Sequence, residues 1–157
     1  MTWFRRRQPL PAAPADPAPP VVELVGIAAS SLNDPSLWMY EFQTEDGTWV
    51  RLHDMRFLDA EVRVRPRTLT LRFVDDDDPG RAAAHPAPAA VLRFSDVRIL
   101  SWEDDPDLVG VPESAFGQVG DFVFFPPRGV FTLSTLVTDL VFTATRVEVT
   151  LEPVAPR

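Results

Sequence analysis

The 157-residue sequence predicts an all-β fold: a single-domain antiparallel β-sandwich or partly open barrel. Short runs such as 68–73 and 146–151 alternate apolar and polar residues, which is the two-residue period of strands with one buried face. Asp46-Gly47 separates two such runs and is a strong hairpin signal. Helix has little support, because only 112–117, with proline near its start and glycine at its end, is typical of a helical turn.

The first twenty residues differ in composition from the rest of the chain. Six of the seventeen prolines lie within 8–20, and each fixes φ and removes a backbone donor. We therefore predict a flexible arm at 1–20 and a folded all-β domain at 21–157. The arm would hold the aromatic and basic tip at 3–7 away from the domain. Such a tip suits a docking peptide or a weak membrane-surface contact, but a disordered leader without a role is favoured, because disorder is concentrated at chain termini.

The folded domain contains roughly ten predicted strands separated by turn signals, a number and spacing typical of a sandwich or barrel. The loop at 75–89 is low in complexity, and we expect it to lie outside the core. The inward positions change parity between Ala144 and Val147, which predicts a bulge or corner near Thr145-Arg146. The strands are predicted at about 21–28, 37–43, 48–53, 57–65, 68–74, 90–95, 97–102, 121–125, 129–136, 138–145 and 146–152.

The charge of the chain is unevenly distributed. The formal net charge is −8, and because residues 1–20 carry three arginines and one aspartate, this segment is +2 and the remainder −10. An acidic body opposes nucleic-acid binding and favours a basic protein partner. No run approaches the roughly 18 apolar residues of a transmembrane helix, and the N-terminus lacks the apolar stretch of a signal peptide. We expect a cytoplasmic protein without a membrane span.

Groups for covalent or acid/base chemistry are few. All fifteen basic residues are arginine, cysteine is absent, and there are two histidines. His53 precedes Asp54, but the chain has no Gly-x-Ser-x-Gly elbow. We therefore predict no enzyme, no catalytic residue, no cofactor and no metal site. A hydrolytic or carbohydrate-active domain is an alternative, and it would need His53 to share an enclosed pocket with a serine or carboxylate.

Two acidic runs are the candidate partner-binding sites. Each could bind Ca²⁺, but consecutive aspartates point in different directions and lack the spacing of a calcium loop, which favours solvated turns. Together they can form a negative patch that attracts a basic protein. Trp102 lies at a strand end directly before the second run, where it can anchor an interface. The predicted partner-binding residues are Asp75, Asp76, Asp77, Asp78, Trp102, Glu103, Asp104, Asp105 and Asp107.

Arg63, Arg65 and Arg67 alternate with two valines, which predicts a solvent-facing row on one strand. Such a row is compatible with a nucleic-acid face or with an ordinary sheet face whose arginines meet cross-strand acids, and the acidic remainder favours the second. The aromatic residues of the predicted strands raise a similar choice between core and a sugar-stacking surface. Their alternating positions favour core. They are Trp38, Tyr40, Trp49, Trp102, Phe122, Phe124, Phe125, Phe131 and Phe142.

The segments 69–73, 92–100 and 140–149 together resemble small bacterial immunity proteins of polymorphic toxin systems. In those families a Leu-Thr-Leu-x-Phe strand precedes a Phe-x-x-Val strand pair, and the domain ends in a Phe-x-x-x-x-Val strand. The resemblance covers about 57–153 and leaves 1–56 unexplained. It implies a non-enzymatic inhibitor that blocks a cognate toxin by stoichiometric binding. A structural or accessory subunit of a larger bacterial assembly, docked through the N-terminal arm, is the alternative.

Overall fold

The computed structural model describes residues 21–33, 39–75, 88–104 and 117–153. Within these residues the chain forms eleven strands and no α-helix, which confirms the all-β prediction. The described ranges also contain three short 3₁₀ helices, at Ala29–Asn33, Leu52–Asp54 and Pro126–Arg128. The strands are β1 (Glu23–Val25), β2 (Glu41–Gln43), β3 (Trp49–Arg51), β4 (Met55–Arg63), β5 (Thr68–Asp75), β6 (Ala89–Ser95), β7 (Arg98–Asp104), β8 (Val119–Phe125), β9 (Val130–Thr135), β10 (Thr138–Thr143) and β11 (Arg146–Glu152).

The strands form two facing sheets and a separate hairpin. The five-stranded sheet has the order β1-β11-β6-β5-β4, the four-stranded sheet the order β7-β10-β9-β8, and β2 pairs with β3. The sheets do not close into a barrel, so the structure is sandwich-like. Neighbouring strands are antiparallel except β1 and β11, which run parallel.

The chain passes between the two main sheets at two adjacent corners. One corner joins β6 to β7 through Asp96 and Val97, and the other joins β10 to β11 through Ala144 and Thr145. The amide of Thr145 donates to the carbonyl of Ser95 (3.0 Å), and its hydroxyl donates to the Asp96 carboxylate (2.9 Å). The parity change in the sequence therefore marks a corner, because the inward face reverses when the chain enters the opposite sheet.

Aromatic side chains fill the space between the sheets. Phe94 projects from β6 and contacts the rings of Phe131 and Phe142 on the opposite sheet, with centroid distances of 5.1 and 4.8 Å. Both contacts are edge-to-face, a favourable arrangement of aromatic quadrupoles. On β6 Ala89 and Val91, which face outward, are buried as well. The inward-facing core residues of β5, β6, β8, β9, β10 and β11 occupy alternate positions, as the two-residue period predicts. They are Leu69, Leu71, Phe73, Ala90, Leu92, Phe94, Phe122, Phe124, Phe131, Leu133, Leu140, Phe142, Val147 and Val149.

The predicted hairpin is present and is attached to the five-stranded sheet. Gly47 has φ +89°, and the amide of Thr44 donates to the carbonyl of Thr48 (2.8 Å) across the turn. Glycine adopts this left-handed conformation without steric cost, which explains the Asp-Gly signal. The amide of Ala28, just beyond β1, donates to the carbonyl of Gln43 (2.7 Å), so the hairpin continues from the β1 edge.

Candidate protein-binding surface

Trp102 lies on β7, the edge strand of the four-stranded sheet. Its side chain points to the same side of the sheet as buried Leu140, which lies opposite it on β10, but at the edge it stays 40% exposed. The indole Nε1 donates to the Asp104 carboxylate (3.1 Å), and this bond orients the ring. The exposed aromatic therefore has a fixed orientation, which suits an interface anchor.

Asp104 has a structural role that the sequence does not predict. Its carboxylate also accepts a hydrogen bond from the Thr138 hydroxyl (2.7 Å), the residue opposite it on β10. The amide of Thr138 in turn donates to the hydroxyl of Thr135 (2.9 Å) across the β9–β10 turn. Asp104 thus joins the edge strand to this turn, while the neighbouring Glu103 projects to the outer face.

Three carboxylates line up across the outer face of the four-stranded sheet. Glu103 on β7 lies opposite Asp139 on β10, Asp139 lies opposite Ser134 on β9, and Ser134 lies opposite Asp121 on β8. Neighbouring strands are about 4.8 Å apart, so Glu103 and Asp139 are adjacent like charges. All three carboxylates are exposed, and none forms an ion pair within the described part of the chain.

The rest of this outer face is largely uncharged. The next cross-strand row contains Ser101, Val141, Thr132 and Val123, and the row after it contains Arg98, Thr143, Val130 and Phe125. Phe125 is 48% exposed. We call this surface the acidic face; it consists of Glu103, Asp139 and Asp121 together with the two adjoining rows. It combines a row of three carboxylates with apolar contact area, and Arg98 lies at its far margin on β7.

The two predicted acidic runs, 75–78 and 103–107, start at the same end of the sandwich. Both corners lie at one end of the sandwich. Strand β6 ends there and β7 begins there, so β7 finishes at the opposite end. At the opposite end the amide of Phe57, near the Asp75 end of the β4–β5 pair, donates to the carbonyl of Gly117 (2.6 Å), just before β8. Asp75 and Asp104 therefore end their strands at one end of the sandwich. Asp76, Asp77, Asp78, Asp105 and Asp107, and the side chain of Asp75, lie outside the described residues.

The predicted arginine row is not continuous. β4 ends at Arg63, and residues 64–67 form the turn to β5, so the strand predicted to continue to 65 is shorter. Arg63 pairs with Glu61 (2.8 Å), and Arg67 lies 4.0 Å from Asp96. These pairs support the interpretation of an ordinary sheet face whose arginines meet acidic side chains.

His53 lies in the 3₁₀ helix Leu52–Asp54, which contacts β8. Its ring stacks on Tyr40 with a centroid distance of 4.7 Å, and Nε2 lies 3.2 Å from the Asp54 carboxylate. Nδ1 is buried and has no hydrogen-bond partner in the described part of the chain. Among the described residues no group of three histidine, cysteine, aspartate or glutamate side chains is placed to hold a metal ion. The second histidine, His85, lies outside the described residues.

The aromatic residues divide between core and surface. Tyr40 is half-buried, Trp49 is 57% exposed on the hairpin, and Trp38 lies outside the described residues. The β8, β9 and β10 aromatics form the core, with the exception of Phe125. The core interpretation therefore holds for Phe122, Phe124, Phe131 and Phe142.

Comparison of the chain with protein-family models, curated protein sequences and solved structures finds no match. None of the helices in the described ranges is long and apolar enough to cross a membrane. Asp139 and Asp121 complete the acidic face but were not among the predicted partner-binding residues. The alternation within 138–143 and 119–125 identifies both as outward-facing, whereas the cross-strand register that aligns them with Glu103 has no local signal in the sequence.

Proposed function

We propose that this chain is a non-enzymatic protein-binding domain that binds a basic partner protein through the acidic face. The observation that carries the proposal is the cross-strand row of Glu103, Asp139 and Asp121, in which no carboxylate has an ion-pair partner among the described residues. Like charges directly opposite each other on a sheet are destabilising. A basic surface brought against this row would relieve that repulsion and gain opposite-charge contacts.

The two adjoining rows give the same face its contact area. Val141, Val123 and Phe125 offer apolar surface beside the carboxylates, and Trp102 lies at the adjacent edge. Complementary charge speeds encounter and fixes register, whereas buried aromatic and apolar groups supply much of the binding energy. The acidic face combines both properties on one sheet.

The resemblance to immunity proteins adds an expected class of partner protein to the proposal. On that interpretation the partner is a bacterial toxin, the binding is stoichiometric, and the acidic residues cover the basic active-site surface of the toxin. The predicted runs at 75–78 and 103–107 would extend the acidic face, since their strands end at one end of the sandwich. A cytoplasmic location agrees with this role and stays a prediction.

The test compares two variants that change the net charge equally. The partner is recovered by co-purification with the native chain, and its association rate is then measured by stopped flow at low and high salt. Glu103→Gln/Asp121→Asn/Asp139→Asn neutralises the acidic face. The matched control Glu23→Gln/Glu148→Gln/Glu152→Gln removes the same charge from the outer face of the five-stranded sheet, away from the β4 edge.

We expect the acidic-face variant to associate more than about tenfold more slowly at low salt, and the difference to shrink at high salt because exposed charges are screened. The control variant should remain within about twofold of the wild-type rate. Equal slowing by both variants would show that net charge alone matters. Unchanged association of both would exclude an electrostatic role for the acidic face, and either result would overturn the proposal.

A further inference from the structure

The outer edge of β4 is covered along only part of its length. The amide of Phe57 donates to the carbonyl of Gly117 (2.6 Å), and Arg56 forms a bridge with Gln118. The β4–β5 register shifts between Phe57 and Asp59, so a bulge at Leu58 ends this covered part. From there to Arg63 the edge has no strand partner within the described ranges.

Apolar side chains are exposed along this free edge. Val62 lies opposite fully buried Leu69 and therefore points to the inner side of the sheet, yet it is 44% exposed. Leu58 and Val64, on either side, are 46% and 78% exposed. An edge with unpaired backbone groups and exposed apolar side chains is a template for pairing with another strand.

The charges along the edge are self-complementary. On the outer side of β4 acidic Asp59 and Glu61 come first and basic Arg63 follows, while Val62 lies between Glu61 and Arg63 on the inner side. Arg65 follows within the β4–β5 turn. When two such edges run antiparallel about a two-fold axis through this valine, each acidic residue lies opposite a basic residue of the other copy. The edge therefore fits a second copy of itself.

We propose that two copies of this chain associate through antiparallel pairing of their β4 edges about Val62, which joins the two five-stranded sheets. Glu61 then faces the partner's Arg63 in both directions, and the two Val62 side chains meet at the axis. Asp59 faces the partner's Arg65 at the margin, where the chain enters the β4–β5 turn. This inference does not depend on the proposed function, because the acidic face lies on the other sheet.

The charge pattern selects this register. Shifting the axis to Glu61 places two glutamates directly opposite each other, and shifting it to Ala60 places Asp59 opposite Glu61. Like charges directly opposite each other are destabilising, and a one-residue slip between strands exchanges the inner and outer faces. Charges on an edge strand usually prevent pairing with another strand. Here the acidic residues come first along the strand and the basic residues follow, so other registers place like charges together and this register places opposite charges together.

The geometry also limits assembly to two copies. A two-fold interface uses the same patch on both copies and is closed, and the Phe57–Gly117 contact and the bulge end the pairing on one side. The pairing is short, so it is an interface at the small end of the observed range, and we expect a weak, concentration-dependent dimer.

Sedimentation velocity tests the dimer with a complementary pair of variants. We expect the wild-type mass to rise from 17.5 kDa towards twice that value between low micromolar and several hundred micromolar chain. Glu61→Arg and Arg63→Glu should each weaken self-association more than about tenfold, because each places like charges opposite each other twice. An equimolar mixture of the two variants should associate again, since positions 61 and 63 then carry opposite charges across the interface.

Two further variants control for the charge changes themselves. Glu148→Arg and Arg93→Glu alter the outer face of the same sheet on the central strands β11 and β6, and they should leave self-association unchanged. Restored association in the mixture shows that both variants are folded. A wild type that stays monomeric, a mixture that does not associate, or controls that weaken association as much as the edge variants would overturn the proposal.

Discussion

The outer faces of the two sheets carry their charge in different ways. On the five-stranded sheet Arg146 donates to Glu23 (2.7 Å) and Arg72 lies 3.6 Å from Glu152. On the four-stranded sheet the acidic row centred on Asp139 has no such pairs among the described residues. The first face is neutralised within the chain. On the second, three exposed carboxylates stay unpaired among the described residues and Arg98 lies two cross-strand rows away, so the row keeps a net negative charge that a complementary partner recognises.

The inner faces show no such difference, since both sheets contribute to one core. Phe94 from the five-stranded sheet contacts Phe131 and Phe142 from the other. Phe94→Ala should therefore lower the free energy of unfolding by about 3–5 kcal/mol, the usual cost of removing a buried phenylalanine side chain. Urea denaturation followed by tryptophan fluorescence and far-UV circular dichroism measures this loss.

Phe125→Ala is the matched control, because it removes the same side chain from the exposed outer face. We expect it to cost less than about 1 kcal/mol. Both signals should report a single transition in the Phe94 variant, because one core supports both sheets. Two separate transitions, or equal losses in the two phenylalanine variants, would contradict the shared core.

The sequence predicts the strands better than it predicts the binding surface. Alternation locates each strand, and the parity change before Val147 locates a corner, because both are local consequences of which side chains are buried. The ends of β1 and β4 are less well predicted. Strand β1 is shorter than its predicted range, and Arg65 lies in the turn after β4 although the alternating pattern continues to it. The acidic face depends on the register between β7, β10 and β8, which are distant in sequence and are aligned by packing.

The same limit applies to individual side chains of the candidate surface. Trp102 and Glu103 lie at an exposed edge strand, in agreement with their predicted positions. Asp104, however, accepts bonds from Trp102 and Thr138, and that role depends on a residue 34 positions away. Composition identifies an acidic segment, whereas tertiary contacts determine which of its carboxylates remain free.

The contrast between the outer faces predicts opposite effects on stability. Asp139→Asn relieves repulsion in the acidic row and should raise the free energy of unfolding by a few tenths of a kcal/mol. Glu23→Gln weakens the contact with Arg146 and should lower it by about 0.2–1 kcal/mol, the usual range for an exposed ion pair. Urea denaturation at low ionic strength measures both changes, and salt should reduce both. A decrease in both variants would remove the distinction between the faces.

The carboxylate of Asp46 is neither ion-paired within the described ranges nor part of the acidic row but is hydrogen-bonded within the hairpin turn. Replacing it has the smallest predicted effect on stability. The Thr44 hydroxyl (2.5 Å) and the amide of Thr48 (3.0 Å) donate to its carboxylate, and these hydrogen bonds, the Thr44 bond first, lower the pKa of Asp46 below its ordinary value. Because the folded-state pKa is the lower one, the stabilisation is present above the ordinary aspartate pKa and is lost as pH falls through the folded-state pKa. Asp46→Asn removes this contribution. The thermal midpoint of the wild type should therefore fall slightly more than that of the variant between pH 7 and pH 3, and equal decreases would show that the hydrogen bonds do not favour the charged form.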